Sequence, residues 1–250
     1  MIFYFSATGN SEWVAQKLAL ATGDRTISIA HAITHGESRY ALAPGERIGW
    51  VFPVHSWGVP PLVADFMSIV RFDGYDDNYC FVTVTCGDDA GLTIKMCQKA
   101  LRGITVHAAF SVQMPNIYIM LPGFDTDPKH IEQQKLDAAP NRVSHIAEQI
   151  MKQAKVIDVV KGTLPWLKTK MVYPLFKRFG RNSHPYYANE ACVSCGLCAK
   201  ACPVGNISMS NGLPVWDNHC QMCLSCIHHC PTRAIQYLCC THKKGRYLHE

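Results

Sequence analysis

The sequence predicts an α/β protein: a doubly wound parallel sheet followed by a small, cysteine-bound α+β domain. Three observations predict it. Strand-like and helix-like segments alternate through the first 160 residues, the signature of a parallel sheet covered on both faces. Ten of the thirteen cysteines fall between Cys192 and Cys240. The charge also breaks near residue 160, with a net of −3 before it and +8 after it, within a whole-chain net of +5. At 250 residues, 48% hydrophobic and 17% charged, the chain can bury a sizeable core and is not disordered.

The elements run in order. Ile2–Phe5 is a short apolar strand, and Ser11–Leu20 a helix opened by Asn10 or Ser11 as a cap. Arg47–Val54 is the third strand of the sheet, ending at His55. Pro60–Val70 is a helix with proline in its first turn. Asn78–Cys86 is the fourth strand, rich in Val, Phe and Thr. Gly91–Leu101 is a helix and Ile104–Gln113 a strand, and His130–Lys155 is helical with an interruption expected at Pro140.

Residues 161–188 change character. Lys161, Lys168, Lys170, Lys177, Arg178 and Arg181 stand there without an acid. Trp166, Leu167, Met171, Val172, Leu175 and Phe176 are interleaved. The expectation is a partly helical connector, bent near Pro174. Its apolar residues are too many for a flexible linker and are expected to bury against the domains. The boundaries read as 1–156 for the sheet domain, 157–183 for the connector, 184–237 for the cysteine module and 238–250 for a basic tail.

The cysteine module repeats one motif. Cys192, Cys195, Cys198 and Cys202 precede Pro203; Cys220, Cys223, Cys226 and Cys230 precede Pro231. Both runs read C-x-x-C-x-x-C-x-x-x-C-P, offset by 28 residues, and Ile207 and Ile235 match at the same offset. Three cysteines at two-residue gaps wrap one face of a cubane cluster. The fourth, held off by the longer gap and the proline, reaches the other cluster. This assigns Cys192, Cys195, Cys198 and Cys230 to one [4Fe–4S] cluster, and Cys220, Cys223, Cys226 and Cys202 to the second. Structural zinc is the plainer alternative, but zinc ribbons use isolated C-x-x-C pairs. Residues 185–237 resemble the bacterial two-cluster ferredoxins.

The first strand runs into Ser6, Ala7, Thr8, Gly9, Asn10 and Ser11 before the first helix. Such a small, hydroxyl-rich loop offers N–H and O–H donors to a phosphate. It is neither a dinucleotide fingerprint nor a lysine-bearing nucleotide loop. It resembles the FMN phosphate loop of flavodoxins. That resemblance implies a ring site in Pro53, Val54, His55, Ser56, Trp57 and Gly58 after the third strand, and in Thr85, Cys86, Gly87, Asp88 and Gly91 after the fourth. The fourth-strand loop lacks the aromatic that many flavodoxins stack on the ring. Trp57 supplies one face, and Tyr118 or a partner domain the other.

The order of parts resembles the fused flavodoxin–ferredoxin proteins called ferrodoxins. That implies intracellular, cytoplasmic electron transfer between FMN and two [4Fe–4S] clusters. An unidentified redox protein or small-molecule donor or acceptor is the expected partner. A flavoenzyme of the oxidoreductase class reducing a small substrate, and a redox sensor acting through a partner, are the alternatives. The expectation is no nucleic acid and no stable membrane insertion, because cluster charge offsets part of the +8 and Pro174 is expected to break an amphipathic face. Cys86 and Cys97 read as buried packing residues, Cys239 and Cys240 as packing after the last cluster, His228 and His229 as surface residues, and Asp88 and Asp89 as caps for the following helix.

Overall fold

The computed structural model describes residues 1–179 and 182–249. Arg181 of the connector and Glu250 at the end of the tail lie outside the described residues. The chain runs β1 (Ile2–Tyr4), α1 (Asn10–Thr22), β2 (Thr26–Ser28), α2 (Ile29–Thr34), β3 (Arg39–Ala41), β4 (Ile48–Pro53), α3 (Pro61–Ile69), β5 (Arg71–Asp73), β6 (Cys80–Cys86), α4 (Thr93–Ala100), β7 (Ala108–Gln113), α5 (Lys129–Met151) and β8 (Ile157–Asp158). The connector follows as α6 (Pro165–Leu167), a π-helical turn over Lys168–Val172, and α7 (Tyr173–Phe179). The cysteine module holds β9 (Tyr186–Ala188), α8 (Leu197–Lys200), β10 (Ile207–Ser210), β11 (Leu213–Trp216), α9 (Ser225–His228) and β12 (Ile235–Tyr237).

Six strands form one parallel sheet in the order β2-β1-β4-β6-β7-β8. This is the flavodoxin-like order with one more strand at the edge, followed by a small α+β domain. β8 draws Ile157–Asp158 into the sheet, where the sequence places the start of the connector. Neighbouring residues on one strand face opposite layers. Phe3, Trp50, Phe52 and Val82 pack with Phe66 of α3 and Cys97 of α4. Ile2, Val51 and Phe81 pack with Leu18 of α1 and Ile146 of α5. Central β6 is buried at every position, as a strand covered on both faces must be. β3 and β5 pair separately as a small parallel ribbon.

Three sequence expectations fail here. α5 continues through Pro140, which faces solvent while Ala139, Val143, Ile146 and Ile150 hold the other face on the sheet. Water can satisfy the carbonyl the proline leaves unpaired, and the packed face offsets a cost of roughly 3 kcal/mol. In the connector, Trp166, Leu167, Met171 and Leu175 are exposed instead of buried. Thr169 and Tyr173 sink inward and Phe176 packs half-buried on the cluster-domain core, so one apolar face of the segment is covered and a second is left outside. Pro174 comes just after the π-helical turn, inside one continuous helical run from Pro165 to Phe179, and does not bend the segment out of helix. No described helix is long and apolar enough to cross a membrane.

Candidate cofactor cavity and cysteine sites

The two cysteine motifs fold alike. α8 and α9 lie 28 residues apart, at the motif offset. Left-handed backbone recurs at the same offset, at Ser194 and Met222, Gly196 and Leu224, and Gly205 and Arg233. Ser194, Gly196, Met222 and Leu224 turn the chain between the first three cysteines of each motif, and Gly205 and Arg233 turn it after the fourth. Glycine takes the position freely at Gly196 and Gly205, whereas Leu224 and Arg233 hold it against side-chain strain. Asn206 N donates to Cys202 Sγ at 3.2 Å and Ala234 N to Cys230 Sγ at 3.2 Å, again one pair repeated. Met222 N donates to Cys220 Sγ at 3.3 Å. Backbone donors of this kind stabilise the negative sulfur of a metal thiolate.

A small cavity is walled by Cys192, Cys195, Cys198 and Cys230, so the last cysteine of the second motif stands with the first three of the first. Conversely, the Cys223 thiol is pushed up to about 12, first by burial, with Cys220 and Cys202 close enough to add to it. Cys226 is raised for the same reasons, with Cys223, Cys220 and Cys202 nearby. Buried thiols that repel one another as anions suit a cationic iron cluster, which deprotonates its ligands. Among the described residues, no three His, Cys, Asp or Glu gather on a single ion. A cubane takes one thiolate per iron, so its ligands need not meet at a point.

A cavity of about 510 Å³ opens outside the carboxyl ends of β1, β4, β6 and β7. That size is within the usual range for a cofactor site. The loop after β1 contributes Ser6, Thr8, Asn10 and Ser11; the loop after β4 contributes Pro53, Val54, His55, Ser56 and Trp57; the loop after β6 contributes Thr85, Cys86, Gly87 and Asp88. Tyr118 lines it too. Gly9, Gly58 and Gly91 are not in the wall. Each instead receives another element closely: a Cβ on Gly9 would lie 2.8 Å from Cβ of His249, one on Gly58 would enter the Tyr173 ring, and one on Gly91 would meet Thr169 and Trp57.

The loop after β1 keeps its donors for an anion, but not every side chain is free. Gly9, with φ +98°, caps α1, rather than Asn10 or Ser11. The N–H groups at the start of α1 therefore point at the cavity end without intrahelical partners. Asn10 is already committed: its amide donates to Pro115 O at 3.1 Å, and its Oδ1 accepts from the Tyr247 hydroxyl at 2.8 Å. Ser11 pairs with Thr85 at 2.7 Å. Asn10 and Ser11 thus shape the loop, leaving the Ser6 and Thr8 hydroxyls and the backbone as donors. The His55 Nδ1 is shut from solvent without a partner, a polar atom a ring-bearing ligand would satisfy. Burial lowers this imidazole to about 4, so it is neutral at pH 7. Burial pushes the Cys86 thiol up to about 12, with Asp89 and Asp88 adding repulsion, so it is an inert packing residue, as is Cys97.

The remaining walls come from parts the sequence does not connect to the site. The connector supplies Lys168, Val172 and Phe176, and the loop after β7 supplies Met114, Asn116, Leu121 and Phe124. The second cysteine motif supplies Met222, Cys223 and Leu224. Lys168 Nζ pairs with Asp89 at 2.7 Å and sits 5.1 Å from the Trp57 ring centroid. Thr169 donates to Trp57 O at 2.9 Å, and Tyr173 to Val59 O at 2.6 Å. The only sequence signals for these partners were the lysines and aromatics of the connector. Asp89 therefore serves an ion pair, not a helix cap, and Leu92 precedes α4 without a side-chain cap.

The cysteine module is bolted onto the same end of the sheet. Cys223 packs in the sheet-domain core with Phe5 and Phe52, and Ile119 and Met120 pack in the module's core with Tyr186 and Ile227. Ser225 donates to Ala7 O at 2.9 Å. His228 is buried, contrary to the surface reading: its Nε2 lies 2.9 Å from Ile117 O, and its Nδ1 accepts from Tyr247 N at 3.2 Å. Those two contacts fix a neutral ring between the domains. The tail packs back as well, with His249 N donating to Thr8 O at 2.8 Å. Cys239 is exposed rather than packed, because the turn after β12 carries it outward.

Residues 186–235 match the family model of the 4Fe-4S dicluster domain. With the eight cysteines this implies two [4Fe–4S] clusters. No curated protein matches the chain. Among solved structures, a protein from Bacteroides uniformis described as a flavoprotein aligns at 18% identity and TM-score 0.37, over 54% of this chain and 95% of its own. An azoreductase from Bacillus anthracis aligns at 8% identity and TM-score 0.36, over 59% and 98%. Likeness at this level carries no argument about ligands. Fold and domain match together define a redox protein, with a flavodoxin-like domain ahead of a dicluster domain.

Proposed function

We propose that this protein passes electrons between FMN in the interdomain cavity and the two clusters. The order is FMN, then the cluster on Cys202, Cys220, Cys223 and Cys226, then the cluster on Cys192, Cys195, Cys198 and Cys230. FMN supplies both one- and two-electron chemistry, and the clusters single-electron steps. The Ser6 and Thr8 hydroxyls and the start of α1 hold the phosphate. His55, Trp57 and the Thr85–Asp88 loop frame the ring. In this reading the sheet domain through β8 is the flavin domain, 184–237 the cluster domain, and the segment between them the connector that roofs the cavity.

The observation that carries the reading is Cys223, which belongs at once to a cluster motif, to the cavity wall and to the sheet-domain core. Flavin and cluster would be close neighbours in one rigid packing. The connector and Met222–Leu224 take up one side of the cavity, which favours electron passage over reduction of a small substrate there. An external redox partner would meet the outer cluster, whose rim residues Val193, Leu197 and Met209 are exposed.

Anaerobic redox titration followed by visible and EPR spectra counts and orders the centres. Stopped-flow reduction then tests the route. Reduction of the flavin through the clusters should proceed at a rate independent of protein concentration. A rate that rises with concentration would mean exchange between molecules and would refute the internal route.

A further inference from the structure

The connector carries more apolar surface than it buries. Thr169 and Tyr173 face inward, while Leu164, Trp166, Met171 and Leu175 are each more than half exposed, at 70%, 58%, 56% and 58%. Leu167, Met171 and Leu175 recur every fourth residue along one exposed row. Beside this row Lys170 lies 5.5 Å from the Trp166 ring centroid. Lys161, Lys177 and Arg178 are exposed on the same segment, and no acid stands between Asp158 and Glu190. Leu121 and Phe124, on the cavity's rim, are also exposed, and Lys244 of the tail reaches Phe124 O at 2.7 Å.

We propose that the outer face of residues 161–178 docks the protein peripherally on an anionic lipid surface. The proposal does not rest on the flavin reading. An apolar row flanked by lysines, with an exposed tryptophan, is the composition of a helix that lies in the headgroup layer. The lysine stems cover apolar surface while their charges meet lipid phosphates. A second copy of the chain is a poorer occupant, because a two-fold interface would set this positive face against itself. Pro174, just after the π-helical turn, does not interrupt the face.

The test is co-sedimentation of the full chain with phosphatidylcholine vesicles and with vesicles that also contain phosphatidylglycerol. Binding is expected only to the second, weakening with salt. Lys170→Gln with Lys177→Gln should lower partitioning about fivefold per lysine, about thirtyfold together. Met171→Ser with Leu175→Ser should remove the emission shift of Trp166 on vesicle addition. All four positions are exposed, and unchanged cluster absorbance and circular dichroism verify that each variant is folded. Three outcomes would overturn the proposal: no binding to the anionic vesicles, equal binding by the variants, or a dimer in sedimentation equilibrium that Leu175→Ser dissociates. The last would assign the face to a second copy.

Discussion

Replacing Tyr247 with phenylalanine should loosen the loop after β1 from a distance of 237 residues along the chain. The hydroxyl donates to Asn10 Oδ1 at 2.8 Å and also lies 3.1 Å from His249 Nδ1. Both Asn10 and Tyr247 are buried, so Asn10 Oδ1 would lose its partner where water does not readily replace it. One neutral hydrogen bond plus a stranded buried acceptor costs about 1–3 kcal/mol. The same Asn10 holds Pro115 O through its amide, so the loss should spread to the loop after β7. If the N–H groups of this loop hold the flavin phosphate, FMN should dissociate about 5- to 150-fold more readily. Urea unfolding followed by tryptophan emission measures the stability loss, and flavin fluorescence on dilution measures affinity. A double-mutant cycle with Asn10→Ala isolates the pair and should give a coupling of about 1 kcal/mol. Additive effects in that cycle would refute the clasp, whatever happens to the flavin.

Cys202→Ala should damage the cluster on Cys220, Cys223 and Cys226 while sparing the other; iron analysis and EPR under anaerobic conditions tell the two apart. Lys168→Ala should strand Asp89, whose side chain is only 11% exposed, and release Trp57, costing about 1–3 kcal/mol in urea unfolding. His55, lowered to about 4 by burial, adds a pH dependence. The unfolded chain binds a proton near pH 6.5 that the folded chain refuses until about pH 4, so stability is fully present above that window and falls as pH drops through it. By about pH 5 the loss should be about 2 kcal/mol, and His55→Gln should flatten that slope. An unaltered slope would place the proton elsewhere.

The sequence reveals local order better than long-range assembly. The alternation of Ile2, Phe3, Val51 and Phe52 between layers follows from strand periodicity, and the repeated motif discloses its own symmetry. Short β2, β3 and β5 were invisible because three residues carry no period. The connector misled because apolar residues usually mean burial, yet nothing in the spacing of Trp166, Met171 and Leu175 tells whether neighbours cover them. His228 reads as a surface residue until Ile117 O and Tyr247 N are seen to enclose it. Residues such as Phe176 and Leu224 enter the cavity through tertiary packing, which no local pattern encodes.

The clasp between the loop after β1 and residues 247–249 also sets an order of assembly. The ribosome makes the loop first and its clasp after both cysteine motifs have emerged. The sheet can form early, since domains fold as they appear. Its cavity nevertheless keeps one wall and one fastening missing until Cys223 and Tyr247 arrive. On the proposed reading, retention of a flavin would therefore be a property of late synthesis. A chain that fails to mature its cluster module would then also fail to hold the proposed flavin, because the wall at Cys223 and the fastening at Tyr247 would both be missing.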